Sequence, residues 1–285
     1  MWTAGLMTLG LALAAPQDAV RDTASVVGAE RAFAADGAAL GISGSFNKWA
    51  APDAIVIGGQ GVQRVPDAYP PAPRPADEPL LEWWPNYAGA ARSGDLGFTT
   101  GAVQVGGRRG GHYFTIWTRQ ASGEWRWVYD GGSGASSIGA PGPSEEPLIM
   151  SAATGSSVSA DVAMAEVRAV ELALASVART DQAAAHLAHL SAAGRVYVAP
   201  MAPAVGPGPA SAALRTWPAA FEFGPTEGGG ASRAGDLAWT YGVASWTREG
   251  VARRGYYLRL WRKEEATWRI MLAQLIPMAS LQPVQ

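Results

Sequence analysis

The 285-residue chain has no cysteine, so disulfides, thiolate nucleophiles, thiolate zinc sites and iron–sulfur clusters are excluded. Charge is also scarce. Charged residues make up 16% and the formal net charge is −2, which gives no electrostatic reason to expect nucleic acid or an anionic membrane as partner. Past the N-terminus no apolar run reaches membrane-spanning length without glycine, proline or charge. The Gly-x-Ser-x-Gly and P-loop patterns are missing, and Gly59-Gln60-Gly61 lacks the third glycine of a dinucleotide fingerprint. His186 and His189 stand three apart on an expected helix with no third ligand near, so they read as surface residues. No metal and no cofactor is expected.

What is present is ample material for cores: hydrophobic residues at 48% and 12 tryptophans, in a length that suits two domains. Residues 1–15 form an apolar run that ends in small residues around Ala12-Leu13-Ala14, as a signal peptide and its cleavage site would, with only the terminal amine as positive charge. A periplasmic or secreted location follows as an expectation, without stable membrane insertion after the signal is removed.

The chain repeats itself. Ser93-Gly94-Asp95-Leu96-Gly97-Phe98-Thr99-Thr100-Gly101 recurs as Ala234-Gly235-Asp236-Leu237-Ala238-Trp239-Thr240-Tyr241-Gly242, 141 positions on. The same offset aligns Glu30 with Glu171, Phe33 with Leu174, and Ile55-Val56-Ile57 with Val196-Tyr197-Val198. Tyr113 to Trp117 then matches Tyr257 to Trp261 at 144, and Trp125-Arg126 matches Trp268-Arg269 at 143. Between the copies, Gly131 to Ser144 is rich in glycine, serine and proline and reads as a tether. The expected division is a first domain over 18–130, a flexible linker over 131–157 and a second domain over 158–279.

Within each copy a helix comes first. Val20, Val27 and the turn Glu30 to Phe33 suggest a helix over Asp18 to Asp36, followed by a glycine-interrupted stretch to Trp49. In the second copy Val167, Val170, Leu174 and Val177 make one apolar stripe. Strands follow with period two: Tyr113, Thr115 and Trp117 on one face, Phe114 and Ile116 on the other, then Trp125, Trp127 and Tyr129 together. Gly97, Gly101 and Gly242 suggest bulges or sharp curvature. Proline-rich inserts, Pro66 to Pro79 and Pro200 to Pro209, read as loops across the mouth of each domain. The fold class is α+β, two tandem domains, each a curved antiparallel sheet packed on N-terminal helices.

The order helix, short strand, proline-rich loop, Trp83-Trp84-Pro85, Gly94-Asp95-Leu96, Tyr113-Phe114-Thr115-Ile116-Trp117 and Trp125-Arg126-Trp127 resembles the NTF2-like superfamily, specifically its DUF4440 or SnoaL-like group. That resemblance implies cone-shaped domains with a pocket between helices and sheet. It also implies pairing through the sheets, here as an intramolecular pseudo-dimer or a homodimer. Ketosteroid isomerase-like and dehydratase-like enzymes belong to the superfamily beside members with no known activity. In its isomerases an acid commonly follows the first strand, a place held here by Gly58-Gly59-Gln60-Gly61 and Ala199-Pro200-Met201.

Glu30, Trp83, Trp84, Tyr87, Trp117, Tyr129 and Asp130 are the pocket candidates, an aromatic wall with two acids suited to a flat apolar or amphipathic molecule. Competing readings are that most of the rings are core, that Glu30 and Glu171 are solvated helix charges, and that Asp95 and Asp236 cap turns. Arg108-Arg109 and Arg253-Arg254 read as solvated hairpin tips. Asp130 aligns with Ala273, so any role it has belongs to the first domain alone. Binding in the first domain without catalysis is the leading expectation. A cofactor-free isomerase, lyase or hydrolase using Glu30, Asp36 or Asp130 is the second, and an interaction scaffold the third.

Overall fold

A computed structural model describes residues 15–151, 153 and 156–279, with side chains from residue 20. The segment expected as a signal peptide lies outside the described residues except for Ala15. The first half opens with helix α1 (Ala15–Trp49), broken at Gly41, whose φ of 76° takes the chain out of helical geometry where the glycine-interrupted pattern suggested. Then come β1 (Ala50–Gly58), β2 (Gly61–Arg64), the short α2 (Val65–Ala68), β3 (Leu81–Trp83), β4 (Tyr87–Ala90), β5 (Leu96–Val105), β6 (Arg108–Arg119) and β7 (Trp125–Ser133). A two-residue strand, β8 (Leu148–Ile149), joins the edge.

The second half runs α3 (Ala160–Ala178), α4 (Gln182–His189), β9 (Leu190–Tyr197), β10 (Ala204–Val205), α5 (Pro207–Leu214), β11 (Glu222–Ala231), β12 (Leu237–Arg248), β13 (Val251–Glu264) and β14 (Thr267–Pro277). Ser159 and Asp181 start α3 and α4 by accepting the backbone N–H groups of Val162 and Ala184, as N-cap residues do. The buried stripe of α3 is Ala163, Val167, Leu174 and Ala178; Val177, expected on it, is largely exposed.

Each half is a curved, unclosed sheet. The strand orders are β2-β1-β7-β6-β5-β4-β8, with β3 also on β5, and β10-β9-β14-β13-β12-β11. Pairing is antiparallel except at β1/β7, β4/β8 and β9/β14. One face of each sheet carries the helices; the other faces meet, so Phe98, Phe114, Ile116 and Tyr129 share a core with Trp239, Leu258, Leu260 and Leu272. The order through the molecule is helix, sheet, sheet, helix.

Both sheets carry a bulge at a matching place. Ile116 pairs with Tyr129 and Trp117 with Trp127, leaving Val128 extra; Leu260 pairs with Leu272 and Trp261 with Ile270, leaving Met271 extra. An extra residue reverses the alternation, so Tyr129 does not share the face of Trp125 and Trp127 as strict period two predicts. It turns to the inter-sheet core and Asp130 turns toward the helix. A second correction concerns the first strand. Val56 lies beside Asp130 as Val196 lies beside Ala273, so Ile55 is the counterpart of Arg195, one position from the sequence match. The apolar triplet Val196-Tyr197-Val198 favours the other register in sequence, and the strand pairing overrides it.

The turns before β5 and β12 lock the halves together reciprocally. Arg92 gives its backbone N–H and Nε to Asp236 at 3.0 and 3.2 Å, and Arg233 gives the same two groups to Asp95 at 3.0 and 3.2 Å. Each carboxylate also accepts a local serine hydroxyl, Ser232 on Asp236 and Ser93 on Asp95, so the expected turn role is real but secondary to the crossing. The segment read as a flexible linker is docked. Ser137 is fully buried, Ser136 donates to the Met201 carbonyl, Trp84 donates to the Pro141 carbonyl, and Met150 donates to that of Ala88.

Candidate functional site

The interior of the first half is built on the inward stripe of α1, where Val26, Glu30 and Phe33 are all fully buried. An acid at that position is not solvated, contrary to the expectation for Glu30 and Glu171. Phe33 sits among Trp83, Phe46, Trp117 and Trp127 with ring centroids 4.9 to 6.3 Å away. Gly37 has no side chain to obstruct Trp83, whose ring would lie 2.6 Å from a Cβ there.

Glu30 accepts the indole N–H of Trp83 at 2.5 Å, that of Trp117 at 3.1 Å, and the hydroxyl of Thr99. Across the site Thr115 donates to Asp130 at 2.6 Å. Among the described residues neither acid has a cationic partner. Burial therefore dominates: it pushes the Glu30 carboxyl up to about 7 against the pull of its hydrogen-bond donors. Asp130 is raised well above the ordinary carboxylate range by burial and by the nearby Glu30 charge, with the Thr115 hydroxyl opposing. The Tyr113 hydroxyl and the Trp127 indole N–H are buried beside them without a hydrogen-bond partner. Tyr69, against Phe46, has its hydroxyl raised by burial and by Asp130.

The second half keeps part of this arrangement. Glu171 accepts the Thr240 hydroxyl at 2.6 Å and the Trp261 indole N–H at 3.1 Å, as Glu30 does from Thr99 and Trp117. There the resemblance stops. Arg259 replaces Thr115 and forms a buried ion pair with Glu171, and Ala273 replaces Asp130. His186 lies 3.3 Å from Arg259 Nη2 through Nε2 and 2.7 Å from the Gln182 carbonyl through Nδ1. A neutral ring that donates from Nδ1 and accepts at Nε2 satisfies both. Burial, then the Arg259 charge, lowers its pKa to about 3. His186 is thus an internal residue, against the surface expectation, and among the described residues no group of acids and histidines has metal-binding geometry.

Of the seven candidates, Glu30, Trp83, Trp117 and Asp130 come together. Trp84 points away from this interior, under the guanidinium of Arg109 at 4.5 Å, while Tyr87 and Tyr129 face the inter-sheet core. Asp36 is paired with Lys48 at 2.7 Å near the surface, and that bond holds its carboxyl below the usual range. Thr99, Tyr113, Thr115 and Trp127 escaped selection. Thr99 was within reach, since Thr240 repeats it at the offset that relates Glu30 to Glu171.

A family-model scan and a search of curated proteins return no match. Solved structures similar in fold include a protein of unknown function of the DUF3225 family from Pectobacterium atrosepticum, 19% identical, covering 41% of this chain and 92% of its own, TM-score 0.34. An NTF2-like protein of unknown function from Pseudomonas putida is 12% identical over 44% of this chain and 100% of its own, TM-score 0.37. A ketosteroid isomerase-like protein from Erwinia carotovora is 17% identical over 40% and 95%, TM-score 0.33. One of these neighbours is described as NTF2-like and another as ketosteroid isomerase-like. Each spans a share of this chain close to one of its halves.

Proposed function

We propose that the first half binds a small apolar or amphipathic molecule, with the Glu30–Asp130 pair as its polar contact and the surrounding rings as its wall. The observation that carries this reading is two buried acids without a cation, next to an unpartnered Tyr113 hydroxyl and Trp127 indole N–H. Leaving such groups unpaired costs stability, and perturbed acids of this kind concentrate at functional sites. The second half, which places Arg259 and Ala273 at the matching positions, supports assigning the role to the first alone. Glu30, Tyr113 and Asp130 are buried, so a ligand reaches them only if part of the surrounding wall moves. Export from the cytoplasm belongs to the same proposal and rests on residues 1–15.

A thermal-shift screen against steroids, polyketides, aromatic acids and lipids tests it, since a ligand that prefers the native state raises the melting temperature. A saturable rise from one class, lost in Asp130→Ala, is expected. No rise from any class refutes the reading. A second reading, cofactor-free acid–base catalysis, is favoured by one observation, a Glu30 carboxyl that changes charge near pH 7. It requires that a ligand found in the screen is turned over and that Glu30→Gln stops turnover while binding persists.

A further inference from the structure

Four cationic side chains are buried in the described residues: Arg195, Arg259, Arg262 and Lys263. Three have carboxylates, Glu171, Glu264 and Glu166 respectively. Arg195 is the exception. It is 9% exposed, its guanidinium lies 3.5 Å over the ring of Tyr87, and among the described residues it has no acidic partner. A mostly buried guanidinium without an anion is an arrangement that the protein avoids at its other three sites.

Arg195 lines a cleft of about 360 Å³ on the seam between the halves. It comes from β9 of the second half, while Tyr87, Thr100 and His112 come from the first. The Tyr87 hydroxyl is buried without a partner. Two acids on the rim are turned to other bonds: Glu146 pairs with Arg31 at 3.0 Å, and Glu145 accepts the Gly142 N–H at 2.7 Å. His112 is bonded through Nδ1 to the Ala135 carbonyl, and burial lowers its pKa. Pro141, Leu148 and Pro203 supply apolar wall.

We propose that this cleft binds a small organic acid, its carboxylate seated on Arg195 and its apolar body against Pro141, Leu148 and Pro203. A planar guanidinium fork matches a carboxylate in two parallel hydrogen bonds, and the cleft is at the small end of ligand sites. Ile55 holds the equivalent position of the first half, so the site occurs once per chain and needs both halves in place.

Titration calorimetry on the full chain at fixed ionic strength tests the assignment with benzoate, its neutral counterpart benzamide, and inorganic phosphate. Saturable binding of benzoate and not of benzamide is expected, weakened about tenfold or more in Arg195→Met. Benzoate binding that survives Arg195→Met overturns the proposal, as does absence of benzoate binding. Arg195-dependent binding of phosphate alone overturns the organic-acid assignment. Should Arg195→Met fail to fold, crystals of the parent soaked in 4-bromobenzoate decide: bromine in the cleft with its carboxylate on Arg195 supports the site, and bromine elsewhere or nowhere sinks it.

Discussion

Glu30, with Asp130 coupled to its charge, gives the interior of the first half a pH dependence that a substitution at Glu30 exposes. Its carboxyl moves from the ordinary 4.5 to about 7 on folding. The folded protein therefore holds this proton at pH values where the unfolded chain has released it. Stability contributed by the neutral form is complete below pH 4.5 and is lost as pH rises through about 7. At 1.36 kcal/mol per pKa unit the loss is on the order of 3 kcal/mol. The parent's own pH profile hides this, because His112, His186 and His189 have lowered pKa values and act in the opposite sense, withdrawing stability as pH falls below 6.5. The difference between Glu30→Gln and the parent cancels the histidines. Glutamine has one oxygen for the Thr99 and Trp117 donors and turns its NH₂ toward the Trp83 N–H, which adds a penalty of about 1–3 kcal/mol that does not vary with pH. Urea unfolding of both proteins at intervals from pH 4.5 to 8.5 should show the difference moving in favour of glutamine by about 3 kcal/mol as pH rises. A difference that stays flat across this range, or moves the other way, refutes the account of a buried acid without a counter-ion.

Asp236→Asn should cost about 2 kcal/mol by urea unfolding and Asp95→Asn distinctly less, because the Arg92–Asp236 pair is largely buried whereas Arg233 is 75% exposed. Equal losses would show that burial does not set the strength of the two clasps. Gly101→Ala should destabilise by about 3 kcal/mol or more, since its Cβ would lie 2.0 Å from the Trp84 carbonyl oxygen; a melting temperature within a degree of the parent contradicts that close approach. His186→Gln should lessen the loss of stability between pH 6.5 and 4.5, because the parent's ring stays neutral when folded and is protonated when unfolded; an unchanged slope by urea unfolding refutes the pKa assignment.

The α+β class, the helix stripe and the alternating strands were legible in the sequence because each depends on periods of 3.6 and 2 that side-chain polarity reports directly. Glu30 and Asp130 could be singled out, but their proximity could not. It depends on Val128 as an unpaired residue in β7, and nothing in Trp125-Arg126-Trp127-Val128-Tyr129-Asp130 marks where alternation reverses. The same bulge removed Tyr129 from the site. Polarity also misled: Glu171 and His186 look like residues for water, and they are internal because Arg259, distant in sequence, supplies an opposite charge to one and a hydrogen-bond donor to the other. Arg195 was overlooked because three apolar residues align better one position away, in the register that the strand pairing does not use.

The clasps between Arg92 and Asp236 and between Arg233 and Asp95 are reciprocal, as contacts across a two-fold axis are. In an assembly of identical chains around such an axis every substitution appears twice, so a residue useful on one side must be tolerated on the other. Joining both sides covalently lifts that restriction. Threonine can face one interior and Arg259 the other, an acid can occupy position 130 with Ala273 opposite, and Ile55 can stay apolar where its counterpart is Arg195. One scaffold thereby carries two interiors of different chemistry.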